Sequence, residues 1–278
     1  MAHLDHPDAE KLRPVALVTG AARRIGRVIA LELAQAGFDV ALHHRGTDAH
    51  ALAEAESTAA ELRAAGARVQ LFAADFADPA AAAALLPAVA QAFGRVDAVV
   101  NSASRFEYDS PATFDAALLE SLMRSNTAAP VVLAQALALQ VAAQPAHARV
   151  SPCVVNLLDQ KLHNPNPDYF SYTLTKAALA HATVLLAQAL APAVRVCGVS
   201  PGITLVSGPM DEAEFAKAHT LTALGRSSTP EDIARAVRFL IESPAITGID
   251  LAVDGGQHLV GQSRDVLFLA RADHPESH

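Results

Sequence analysis

Short runs rich in β-branched and other apolar residues alternate with longer, Ala-rich amphipathic runs along nearly the whole chain. Strands are predicted at residues 14–19, 38–43, 68–74, 97–100, 150–158, 194–199 and 249–253. Helices are predicted at 25–36, 49–65, 79–93, 114–144 (as one helix or two), 169–190, 211–222 and 230–243. Gly37, Gly66 and Gly94 follow three of the helical runs, Pro79 opens one and Pro145 ends another, which are the residue types that stop and start helices. A strand that is followed by a helix and then another strand returns by a right-handed crossover, so the strands lie parallel and helices cover both faces. The expected fold class is α/β: one Rossmann-type doubly wound sheet of about seven parallel strands. Residues 13–260 then form a single domain between a flexible N-terminus, 1–12, and a polar tail, 261–278. The tetrapeptide Val266-Leu267-Phe268-Leu269 in that tail packs either on a neighbouring subunit or on its own chain.

Composition narrows the class. With 278 residues and 51% hydrophobic content the chain can bury a large core, built from Ala, Val and Leu because aromatics are only 5% and Trp is absent. A net charge of -8, spread without long runs, argues against nucleic acid or an anionic membrane as partner. No window holds about 18 uninterrupted apolar residues, and residues 1–10 carry no apolar signal-like core. Cys153 and Cys197 sit in apolar runs and read as buried, reduced thiols, which fits a cytoplasmic chain; a disulfide or a metal pair is the alternative. The twelve histidines show no ligand spacing, so no metal is expected.

The first strand runs into Thr19-Gly20-Ala21-Ala22-Arg23-Arg24-Ile25-Gly26 and then a helix. Gly20 permits the tight turn, Gly26 the close approach, and the helix N-terminus offers N–H groups to a pyrophosphate. The usual middle glycine is missing. Arg23 and Arg24 stand there instead, which favours anion binding over an ordinary turn. The second strand ends His43-His44-Arg45-Gly46-Thr47, without the carboxylate that reads a ribose 2′-hydroxyl. His44, Arg45 and Thr47 suit a 2′-phosphate, so NADPH is expected over NADH. Asp75 is placed to accept from an adenine amino group, and Asn101 lies at the carboxyl edge of the sheet where ligands bind. Either could instead be a cap or turn residue.

Tyr172 and Lys176 stand four residues apart on one predicted helix face. The ammonium favours the phenolate, so it is expected to lower the tyrosine pKa toward the range of an acid catalyst. Tyr169 lacks a lysine four residues on, and His163 reads as a solvated loop residue or a pocket liner.

These landmarks, in order with Asn126, Pro201-Gly202 and Val253-Asp254-Gly255-Gly256, resemble the short-chain dehydrogenase/reductases over about residues 13–258. Within that superfamily the Arg-bearing turn, His44-Arg45 and Asn101-Ser102-Ala103-Ser104-Arg105-Phe106 resemble the pteridine and dihydromonapterin reductases. The resemblance implies cofactor contacts at Gly20, Arg23, Arg24, Ile25, His44, Arg45, Asp75, Phe76, Asn101, Ser102, Ala103, Lys176, Pro201, Gly202 and Ile203. It implies substrate contacts at Arg24, Ser104, Phe106, Asp159 and Tyr172, with Phe106 stacking on a flat ring, and catalysis by Asn126, Asp159, Tyr172 and Lys176. Asp159 replaces the serine of most of the superfamily. An ionised carboxylate accepts and cannot donate, which suits a substrate with N–H groups; a protonated one could serve as an acid. The departures are Ser102 and the loop 160–167. The expected activity is therefore NADPH-dependent reduction of a pterin-like or other cyclic C=N substrate. A ketone or quinone reductase, and an NADPH-binding sensor without turnover, are the alternatives. Small-molecule substrates and a homotetramer are the partners the resemblance implies.

Overall fold

Seven strands form one sheet in the computed structural model, which describes residues 13–46, 48–143, 151–206 and 210–272. They are β1 (Val15–Val18), β2 (Asp39–His44), β3 (Val69–Ala73), β4 (Ala98–Asn101), β5 (Cys153–Leu157), β6 (Arg195–Pro201) and β7 (Asp250–Val253). Their order is β3-β2-β1-β4-β5-β6-β7, and every pairing is parallel. Successive side chains in a strand face opposite sides. Ala16 and Val18 therefore bury under α1 (Arg24–Gln35), α2 (Ala49–Ala64) and α8 (Pro230–Glu242). Leu17 buries on the other face under α3 (Pro79–Phe93), α5 (Ala129–Ala143) and α6 (Phe170–Leu190). Burial on both faces is why the inner strands are apolar at nearly every position. The strand order reverses between β1 and β4, and the crevice at such a switch point is where open α/β sheets hold ligands.

The predicted helical run 114–144 divides into α4 (Ala116–Met123), a π turn at Arg124–Ala128 and α5. The wide turn carries Ser125, Asn126 and Thr127 inward, and all three are buried. Residues 116–143 together have the length and apolarity of a bilayer span. Leu133, Ala134 and Leu137 pack under the sheet, so this is a core helix.

The tail differs from its predicted form. Residues Val266–Ala272 make a helix, α9, which packs on α7 (Glu212–Thr220). Val266, Leu267 and Ala270 fall on one helical stripe and bury with Met210 and Ala218 of the same chain. Cys153 and Cys197 are buried, unbridged thiols on adjacent strands. Thr47, the segments 1–12, 144–150 and 207–209 and the end of the tail, 273–278, lie outside the described residues, and with them Pro145 and the expected start of the fifth strand.

Candidate active site

A cleft of about 660 Å³ opens along the carboxyl ends of the central strands. Its nucleotide end is built on the turn after β1. Gly20 has a φ of 65°, a left-handed conformation, and a Cβ there would stand 3.0 Å from Ala103 Cα. A Cβ on Gly26 would stand 2.4 Å from the Gly20 carbonyl oxygen. Thr19 Oγ1 accepts from the Ser102 and Ala103 amides, both at 3.0 Å, and so ties the turn to the end of β4. α1 begins with no side-chain cap and no acid in its first turn, leaving its leading N–H groups and partial positive charge for a ligand.

His43 holds this turn from beneath. Its Nδ1 accepts from the Gly20 amide at 3.1 Å, its Nε2 bonds the Ala74 carbonyl at 2.9 Å, and its ring stacks on Phe76 at 4.5 Å. Accepting at one nitrogen and donating at the other requires the neutral ring. Burial pushes its pKa down to about 4, which keeps it neutral. His43 is a site residue beyond those expected from the sequence; its one local signal is a second imidazole closing an apolar strand.

His44 is buried, and its Nδ1 has no hydrogen-bond partner among the described residues. Beside it Arg45 Nε donates to Asp75 Oδ2 at 3.0 Å, and Asp75 also accepts from the Ala77 amide at 2.9 Å. The Ala77 bond, with the Arg45 guanidinium, outweighs desolvation and holds the Asp75 carboxyl below its ordinary range. Asp75 is thus a turn residue and lines the cleft as well. The glycine cradle that a Cβ would fill, the uncapped helix and the unpartnered imidazole beside a guanidinium fit a dinucleotide with a 2′-phosphate.

The proton-handling end lies between β5 and α6. Asp159 follows β5, and its Oδ1 accepts from the Lys161 amide at 2.9 Å, capping a single 3-10 turn. Its Oδ2 accepts from the Tyr172 hydroxyl at 3.0 Å. The cap and the contact with the phenol are therefore both present. One helical turn beyond Tyr172, Lys176 Nζ donates to the Leu157 carbonyl at 2.7 Å and lies 5.6 Å from the Tyr172 ring centroid. Burial raises the Asp159 pKa against the Lys161 amide bond and the nearby positive charges. Burial lowers Lys176 to about 8.

Tyr172 departs from the expected direction. Burial and the facing Asp159 carboxylate push its pKa well above the ordinary phenol value. The ammonium lies beside the ring and is spent on a strand carbonyl, while the carboxylate meets the hydroxyl directly. Tyr172 is therefore a neutral phenol near neutral pH.

Two expected site residues do not face the cleft. Asn101 closes β4 opposite Asn156 of β5 and its Nδ2 donates to Asn156 Oδ1 at 2.8 Å, outside the cleft lining. Asn126 sits in the π turn. It bonds both backbone polar groups of Arg105, at 2.8 and 2.9 Å, and Thr175 Oγ1 at 3.1 Å. Through these bonds it positions the Ser104–Phe106 segment.

The remaining expected residues, from Arg23 and Ile25 through Ser102 and Ser104 to Pro201, Gly202 and Ile203, line the cleft. Arg24 donates to the Val206 carbonyl at 2.9 Å, tethering the segment after β6 to the turn. Phe106 is 42% exposed. It stacks on Tyr169 at 4.1 Å and meets Tyr172 edge-on at 4.7 Å, which makes an aromatic platform beside the phenol. His163 pairs with Asp250 and lies outside the cleft lining. Among the described residues no cluster of His, Cys, Asp and Glu could hold a metal.

A parallel sheet with a nucleotide turn at its switch point and a Tyr-Lys helix across the cleft defines a class, and comparison with known proteins agrees. A family model described as enoyl-(acyl carrier protein) reductase matches residues 20–258, and the chain belongs to the short-chain dehydrogenase/reductase family as an NAD(P)-dependent oxidoreductase. An uncharacterized oxidoreductase of Mycobacterium tuberculosis is 36% identical over 260 residues, covering 87% of this chain and 91% of that protein. Pteridine reductase 1 of Leishmania tarentolae is 33% identical over 283 residues, covering 88% of this chain and 96% of the relative. The crystal structure of FolM alternative dihydrofolate reductase 1 from Brucella suis, in complex with NADP, superposes with a TM-score of 0.81 at 36% identity, covering 91% of this chain and 98% of that one.

Proposed function

We propose that this chain is an NADPH-dependent reductase of pterin-like or other cyclic C=N substrates. The observation that carries the reading is the 3.0 Å hydrogen bond from the Tyr172 hydroxyl to Asp159, at the position from which a hydroxyl would otherwise address a carbonyl. When bound, NADPH supplies the hydride. The Gly20 turn and the α1 N-terminus hold its pyrophosphate, His44 and Arg45 its 2′-phosphate, and Lys176 the nicotinamide ribose. Phe106, backed by Tyr169, provides a flat surface for a planar ring. Asp159 accepts from a substrate N–H, and the proton needed at the imine nitrogen comes from Tyr172, directly or through Asp159. The similarity to pteridine reductase 1 and to an alternative dihydrofolate reductase supports the same substrate class.

A second reading is carbonyl reduction. Burial raises the Asp159 pKa, and a protonated Asp159 would donate as a serine does; 3-oxoacyl-[acyl-carrier-protein] reductases of Staphylococcus aureus are among the relatives, at 31% identity. NADPH oxidation by dihydrobiopterin or dihydromonapterin, set against a panel of ketones and quinones, separates the two. NADPH binding with no turnover on either panel indicates a sensor.

Cofactor choice is tested at Arg45. Arg45→Ala removes a bidentate-capable cation from the 2′-phosphate position, and NADPH affinity falls by about 10- to 100-fold, the range of a charge-assisted bond. NADH affinity stays within about twofold, the margin of a lost exposed ion pair with Asp75. Equal losses for both nucleotides in a fluorescence titration would refute the assignment.

We also place the chain in the cytoplasm as a homotetramer. Leu139 on α5 and Val184 and Leu185 on α6 are apolar and exposed on the helices that would associate. A monomer in sedimentation velocity would contradict this.

A further inference from the structure

One charged pair on the cleft wall is left over once hydride and proton delivery are assigned. The Lys161 side chain is only 4% exposed, and its Nζ donates to the Asp168 carbonyl at 2.8 Å and to Asp265 Oδ2 at 3.0 Å. Both Lys161 and Asp265 line the cleft. The buried Asp168 carboxylate accepts from Arg264 Nε and from one of its terminal nitrogens, at 2.8 and 2.9 Å, and from the Asp265 amide at 2.8 Å. Charges thus alternate from Arg264 through Asp168 and Lys161 to Asp265, and they bind the entry of α9 to the loop that carries Asp159.

Burying such charges costs desolvation that an apolar contact avoids. Val266, Leu267 and Ala270 seat the helix by apolar contact, and Asp265 Oδ1 accepts from the Leu267 amide at 3.1 Å; neither contact involves the Lys161 ammonium. What the pair adds is a polar edge facing the cavity. That edge adjoins the aromatic platform: Lys161 Nζ lies 5.3 Å from the ring centroid of Tyr169, on which Phe106 stacks.

We propose that Lys161 and Asp265 form a substrate-selecting subsite that reads a cyclic amide edge, an N–H next to a C=O. This rests on the reading of the cleft as a reductase of planar nitrogen heterocycles, and deepens it. A carboxylate only accepts and an ammonium only donates. Side by side they complement adjacent donor and acceptor atoms, Asp265 taking the N–H and Lys161 the C=O. A ketone or quinone brings acceptors alone and meets Asp265 with a mismatch, so the pair discriminates by repulsion as well as by attraction. Sites that hydrogen-bond a substrate group reject analogues lacking it far more strongly than apolar pockets do.

The test compares two imines in the NADPH-loaded enzyme, dihydrobiopterin, which carries the amide edge, and 3,4-dihydroisoquinoline, which does not. In Asp265→Asn and in Lys161→Met, kcat/KM for dihydrobiopterin falls by about 30-fold or more, mainly through KM, as expected when a charge-assisted substrate hydrogen bond is weakened to a neutral one by asparagine or lost altogether with methionine. The value for dihydroisoquinoline stays within about threefold, and Lys161→Arg restores most of the loss. Arg264→Met loosens the anchor without touching the pair. If it reproduces the split, or if Asp265→Asn lowers both substrates alike, the pair is structural and the proposal falls. If the wild-type enzyme reduces neither imine, the reductase reading fails by itself, and the subsite is read by quenching of pterin fluorescence on the NADP-loaded protein. Weakening of that binding by about 30-fold in Asp265→Asn sustains the subsite. Unchanged affinity, or no pterin binding to the wild type, overturns it.

Discussion

Tyr172→Phe lowers kcat by about a thousandfold and leaves the NADPH dissociation constant within about twofold, the span expected when one positioned proton donor is removed. The hydroxyl is the one group of Tyr172 bonded to Asp159, and the ring itself packs edge-on against Phe106. Phenylalanine keeps that ring, so the platform and the fold survive and only the proton is lost. The variant leaves Asp159 Oδ2 without its phenol partner in a buried pocket, which raises the carboxyl pKa further. The loss should therefore shrink at low pH, where a protonated Asp159 supplies the proton. The wild type shows the opposite limb. The Lys176 ammonium is depressed from 10.5 to about 8, so it is charged below that pH and discharges above it. Activity should accordingly decline above about pH 8, by up to tenfold per unit for loss of a single essential proton. A pH–rate profile of both proteins decides the matter. A Tyr172→Phe enzyme with wild-type turnover would remove Tyr172 from the mechanism.

Asp159→Asn is expected to lower kcat/KM for a dihydropterin by about a hundredfold, within the range for loss of a charge-assisted contact plus a proton relay. Asparagine is nearly isosteric and its carbonyl oxygen can keep the bond to the Lys161 amide, so the 3-10 turn is retained. What changes is the group facing Tyr172, which becomes a neutral amide with no proton to pass. Asp159→Ser goes further and substitutes a donor for an acceptor. It should shift the ratio of ketone to dihydropterin reduction toward the ketone, because the hydroxyl can then address a carbonyl oxygen. Full dihydropterin activity in Asp159→Asn would leave the C=N reading without its basis.

The strands, their parallel arrangement and the nucleotide turn were legible because each rests on a local pattern: alternation of runs, a glycine in the turn after the first strand, and a helix that follows it directly. Tyr172 and Asp159 were legible by spacing and resemblance, yet the direction of the tyrosine pKa was not. It depends on which end of the phenol each charge meets, and a spacing of four residues does not report that. Asn101 and Asn126 were named from the right segments, but their amides turn to Asn156 and Arg105, partners 55 and 21 residues away. His43 and Lys161 were missed for the same reason. A histidine closing a strand and a lysine in a loop carry no local mark of the Gly20 amide or of Asp265, 104 residues downstream in the case of the lysine. The helix at Val266–Ala272 escaped notice because a stripe this short, set among polar residues, has too few turns to display a period.

The tie between Thr19 and the end of β4 has a consequence for how the protein is made. The glycine signature leaves the ribosome early, but the shape that cradles a phosphate depends on Val100, Ser102 and Ala103, more than 80 residues later. A nascent chain or a proteolytic fragment that stops before residue 98 would carry the motif without the cradle. Nucleotide capture during synthesis must therefore wait until the middle of the sheet has closed.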